Sequence, residues 1–70
     1  MSEHRDYAYR GHRIVIDADE DKPGCWGWSF LIDGRIGSQG RNHSFPQPWA
    51  ALMQGLAAAR ARVDSLVATA

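Results

Sequence analysis

One cysteine, one lysine and no long apolar run are the scarcities that bound this chain of 70 residues. A lone Cys25 excludes an internal disulfide framework and every multi-cysteine zinc motif, and it fits a reducing cytosol. Inside a strand such a cysteine reads as a small buried hydrophobe and not as a reactive thiol. No stretch approaches the ~18 apolar residues of a membrane span, and no signal-peptide core is present, so the expected setting is cytoplasmic, away from membranes. Eight basic side chains balance eight acidic ones, and this zero net charge gives no compositional sign of a polyanion-binding protein. Seven of the eight bases are arginines, which suit planar or stacked contacts better than lysine does.

Motifs of catalysis and cofactor binding are also missing. Gly34, Gly37 and Gly40 follow G-x-x-G-x-x-G, which is not the dinucleotide fingerprint. No nucleophile sits in a strand–turn–helix elbow. His4, His12 and His43 with Cys25 have no paired ligand at finger or helical spacing, so neither a metal nor a cofactor is expected. The acidic cluster Asp17, Asp19, Glu20 and Asp21 lacks calcium-loop spacing and reads as a solvated hairpin loop.

What the chain does have is the run from Cys25 to Gly34. Trp26, Trp28, Phe30 and Ile32 recur at every second residue, which places four large apolar side chains on one face of a strand. An earlier strand is expected from Tyr7 to Ala18, interrupted at Gly11, with Ile14 and Ile16 on one face and Val15 on the other. Residues 1–6, polar and mixed in charge, read as a loose terminus. Pro23-Gly24 suits the centre of a type II turn, and Asp33-Gly34 a two-residue hairpin leading to a weak third strand, Arg35 to Arg41. After a loop with His43 and two prolines, the period becomes helical. Trp49, Leu52, Met53, Leu56, Val63 and Val67 fall at spacings compatible with one face. Ser44 with Gln47 has capping-box spacing and Pro48 suits a first helical position, so the start is placed at 45–48 and the end near Leu66. Arg60 and Arg62 with Asp64 read as a solvated face, while Tyr7 and Tyr9 extend either the core or a surface patch. The expectation is one α+β domain over residues 7–67, a three-stranded antiparallel sheet with one C-terminal helix on one face (βββα), fraying over 68–70.

Tyr9-Arg10-Gly11-His12, followed by β-branched residues, an acidic loop and a glycine before the next strand, resembles the start of HicB-type antitoxin domains. Trp28, Phe30, Ile32, Gly34, Ile36 and Ser38, followed by a helix with Ala50, Ala51 and Gly55, are similar to YegP-like bacterial modules. Both resemblances imply a βββα fold in a small bacterial protein, and no functional residue is carried over from either.

Function turns on the aromatic face. Covered by the helix, it is a core, each side chain contributing about 1.5–3 kcal/mol on burial. Left open, it is a binding platform. In a strict two-residue register Ile32 pairs with Arg35, Trp28 with Gln39 and Trp26 with Arg41, so aromatics and arginines share a face of the kind that stacks single-stranded nucleic acid. A three-residue connection or a bulge puts Ile36 on the aromatic side and turns the arginines away. The leading expectation is a non-catalytic protein-interaction module, using the face with Val15 and Leu31 and an unpaired sheet edge, or self-association through the strand from Tyr7 to Ala18. The alternative is a nucleic-acid-binding module built on Trp26, Trp28, Arg35, Gln39 and Arg41.

Overall fold

A computed structural model describes residues 2–40 and 45–68. The elements run β1 (Ser2–Tyr9), β2 (His12–Lys22), β3 (Cys25–Ile32), β4 (Ile36–Gln39) and α1 (Pro48–Ala68). The strands form one antiparallel sheet in the order β1-β2-β3-β4, with α1 on one face.

Four strands replace the three expected, because residues 9–12 form a tight hairpin and not a passing irregularity. Arg10 and Gly11 have φ of 52° and 81°, the positive pair of a type I′ turn, and Tyr9 pairs directly with His12. Arginine is a poor signal for the first of those positions, so the sequence reads through it. As a consequence Ser2 to Asp6, expected to be loose, are strand residues that pair with β2 from Asp19 to Val15. Asp17, Asp19 and Glu20 likewise belong to β2 and not to a loop. Asp21 is the extra residue of a register shift between Glu20 and Lys22, and the turn itself is Pro23-Gly24, with Gly24 at φ 79°.

The connection from β3 to β4 settles the register. Asp33 and Gly34 both have positive φ, and Arg35 N donates to Ile32 O at 3.0 Å, so the two-residue turn does close. Arg35 is nevertheless left outside the ladder, and the first pair is Ile32 with Ile36. One residue between turn and ladder reverses which face each β4 side chain takes. Ile36 and Ser38 therefore share the helix side with Ile32 and Phe30, and Gly37 and Gln39 lie on the other side.

The core lies between α1 and the two central strands. Ile14, Ile16 and Ala18 of β2 and Trp26, Phe30 and Ile32 of β3 meet Ala51, Leu52, Leu56, Ala59 and Val63 of α1. Ala51 and Leu52 open one stripe, which Leu56, Ala59 and Val63 continue at steps of four, three and four. Gly55 is buried on the same stripe, where a Cβ would stand 2.9 Å from Ile16 Cγ2, so glycine is what lets the helix backbone approach β2. Trp49 and Met53 depart from the expected face. They are 65% and 60% exposed, an i, i+4 pair on the outer side of the first turns. Pro48 is the first helical residue, and Ala51 N reaches Gln47 O at 3.4 Å; Ser44, the other proposed cap, lies outside the described residues. The helix continues to Ala68, slightly beyond the expected end.

Candidate functional site

The residues proposed for an aromatic and arginine platform do not share one face. Trp26 is buried beneath the helix side of the sheet, and its backbone exchanges hydrogen bonds with Phe45 (2.8 and 3.2 Å). Trp28 is half-buried on the same side, its ring stacked on Phe30 at 5.9 Å and 10°. Gln39 pairs with Ser29 and so lies on the opposite face. Arg35 is exposed outside the ladder, and Arg41 lies outside the described residues.

Val15 and Leu31 are directly paired on the face away from α1. Leu31 is 40% exposed and Val15 half-buried. They make a small apolar spot flanked by polar residues: Asp6 pairs with Val15, and one step along the same face lie His4, Asp17 and Ser29. Single exposed apolar residues of this sort are ordinary on protein surfaces.

A larger feature lies at the β4 edge, and the sequence reading did not find it. The helix runs over β2 and β3 and leaves the inner side of β4 largely uncovered. The gap is a groove of about 550 Å³ lined by Trp28, Phe30, Ile36 and Ser38 on the sheet side and by Ala58, Ala61, Arg62 and Ser65 on the helix side. It exists because the helix residues facing β4 are too short to fill it. Small residues at 58, 61 and 65, spaced as one helical stripe, were the available signal.

The backbone of β4 faces outward at two positions. Gly40 N donates to Trp28 O at 2.9 Å, which makes Trp28 and Gly40 a hydrogen-bonded pair. Alternation along an antiparallel ladder then makes Phe30–Ser38 and Ile32–Ile36 bonded pairs too. Gly37 and Gln39 consequently turn N–H and C=O away from β3, and no described segment pairs with them. Unlike β1, whose Glu3, His4, Arg5 and Asp6 protect the opposite edge with charge, β4 carries no charged side chain. The expected template for self-association, Tyr7 to Ala18, is divided between β1, an edge strand that ends at Tyr9, and β2, which is interior.

Charge is distributed unevenly despite the zero total. No Asp or Glu occurs between Asp33 and Asp64, whereas Arg35, Arg41, Arg60 and Arg62 do. Asp64 is occupied by its neighbours. It accepts from Tyr9 Oη at 2.9 Å and Arg10 Nη1 at 2.8 Å, and the hydrogen bond from Arg10, then that from Tyr9, holds its carboxyl below the usual range. Arg60 lies over the Tyr9 ring at 5.6 Å. At the other end of β3, Asp33 accepts from Arg13 N at 2.9 Å and meets His12 Nδ1 at 2.6 Å, and these bonds lower its pKa in that order. On the open face, His4 Nδ1 lies 2.9 Å from Asp17, a contact that raises the His4 pKa. Arg62, the sole charged residue lining the groove, is in no ion pair among the described residues.

Among the described residues no group of three His, Cys, Asp or Glu side chains is placed to hold a metal ion, and no helix is long and apolar enough to cross a membrane. His43 lies outside them. Comparison with protein families, with curated proteins and with solved structures finds no match.

Proposed function

We propose that this chain is a non-catalytic protein-interaction module that takes an extended segment of a partner protein as a fifth strand alongside β4. The observation that carries the reading is the pair of outward-facing backbone positions, Gly37 and Gln39, beside an apolar groove. Main-chain bonds to such an edge supply affinity for any extended chain, and a pocket for alternate side chains supplies selectivity. Self-association through the same edge is the special case in which the added strand is another copy's β4. The Val15–Leu31 face is a secondary surface in this reading, continuous with the side of β4 that bears Gly37 and Gln39.

Single-stranded nucleic acid is less well served. Base stacking needs open ring faces. Trp26 is buried, while Trp28 is stacked on Phe30 and pressed against Gly40.

Selection of a phage-displayed library of random peptides against the immobilised domain tests the reading. Peptides should be enriched, and their binding should be lost in Gln39→Pro, which removes an outward N–H without taking a bond from the β3–β4 ladder. Circular dichroism must show that variant folded. Failure to enrich any peptide, or binders indifferent to Gln39→Pro, would count against the edge as the site.

A further inference from the structure

We infer that the segment accepted by β4 is acidic as well as apolar, with one apolar side chain filling the groove beside Ile36 and Ala58 and a carboxylate meeting Arg62. This rests on the reading of β4 as a strand-pairing edge and names the chemistry of what pairs there.

A strand laid against β4 sends every second side chain to the helix side of the sheet. On that side lie Ile36 and Ser38 from β4 and Ala58, Ala61, Arg62 and Ser65 from α1. The groove, about 550 Å³ and open along the β4 edge, leaves room for an apolar side chain beside the core. Its base is aromatic and aliphatic, and its one charge is the Arg62 guanidinium, which no described carboxylate neutralises. Arg35 stands exposed at the start of the same edge, in no ion pair among the described residues, though its charge also acts on Asp33 two residues earlier. The stretch from Gly34 to Val63, which supplies β4 and most of α1, holds no acid at all. An incoming carboxylate therefore meets two cations and no acid from that stretch, and guanidinium pairs with carboxylate through short charge-assisted bonds.

The same distribution argues against the other occupants. A second copy joined edge to edge by a two-fold axis brings its own Arg35 and Arg62, and no carboxylate from residues 34–63 to meet them. A nucleic-acid strand satisfies the arginines, but its donors sit on the bases and its backbone lacks the alternating N–H and C=O that pair with a strand edge. A peptide backbone offers both.

The test uses the peptides enriched by the displayed library and compares the parent with Arg62→Gln and Arg62→Glu. Arg62 is exposed, so both variants should keep the parental melting temperature. Enriched peptides should carry Asp or Glu two residues from a large apolar residue. Their affinity should fall about tenfold in Arg62→Gln, the loss of one charge-assisted bond. A fresh selection against Arg62→Glu should enrich Lys or Arg at that place. Peptides that bind through β4, are lost in Gln39→Pro, yet show no acidic preference and ignore Arg62→Gln would overturn this inference and leave the edge reading standing. An absence of Gln39-dependent binders would remove the edge reading itself. A single-stranded oligonucleotide that binds more tightly than the best peptide and loses its binding in Arg62→Gln would also overturn it, in favour of nucleic acid.

Discussion

The backbone of Gly40 runs against the indole of Trp28 so closely that a Cβ at position 40 would stand 2.7 Å from Trp28 Cε2 and 2.8 Å from Nε1. Real side chains do not share such space, so Gly40→Ala must push the ring toward the groove or part β4 from β3. A loss of roughly 1–3 kcal/mol is expected, as for other overpacking changes. Chemical denaturation measures it. Because the indole also lines the groove, peptide binding by Gly40→Ala should weaken together with stability.

Gly55→Ala is expected to be destabilising in the same range, about 1–3 kcal/mol, despite alanine's higher helix propensity. The reason is the 2.9 Å approach to Ile16 Cγ2, at the centre of the sheet. A variant more stable than the parent would contradict so close an approach of the helix backbone to β2.

Replacing Trp49 and Met53 together by Gln should leave stability within about 0.5 kcal/mol of the parent, since both side chains are mainly exposed. Trp28→Ala, by contrast, should cost about 3 kcal/mol, toward the low end for core aromatics because the ring is only half-buried. Thermal melts of the two variants side by side check which tryptophan belongs to the core.

Asp64 ties the first hairpin to the helix through Tyr9 and Arg10, and its carboxyl pKa is lowered chiefly by Arg10. A lowered folded-state pKa means stability that is present above the unfolded carboxyl value and lost as pH falls through the folded one. Asp64→Asn should therefore lower the melting temperature at neutral pH, with the gap to the parent closing as pH drops below the ordinary value of 3.8. His4 works in the opposite sense. Its pKa is raised mainly by Asp17, so its contribution is full below the ordinary 6.5 and fades as pH rises through the folded value.

Much of this fold was readable from particular residues. Alternation from Trp26 to Ile32 marks β3 because a strand half-covered by a helix must alternate, and Pro23-Gly24 marks its entry because the turn needs a positive φ. The β1–β2 hairpin is hidden in the sequence because Arg10 occupies a position where Asn, Asp or Gly is the usual sign. Asp33-Gly34 marks a turn, but nothing in its neighbours shows that Arg35 stays out of the ladder, and that one residue decides the face of Gln39. Trp49 and Met53 misled because hydrophobicity alone does not say which side of a helix meets the sheet. The groove was written in Ala58, Ala61 and Ser65, whose small size reads as helix propensity until the strand opposite them is known.

Amide hydrogen exchange at Gly37 and Gln39, with and without a peptide from the displayed library, tests the edge most directly. In the free protein these two amides should exchange fast, while Ser38 and Gly40, bonded to β3, exchange slowly. With peptide bound, Gly37 and Gln39 should become protected. Slow exchange at Gly37 and Gln39 in the free protein, or peptide-induced protection confined to residues away from β4, would contradict the account.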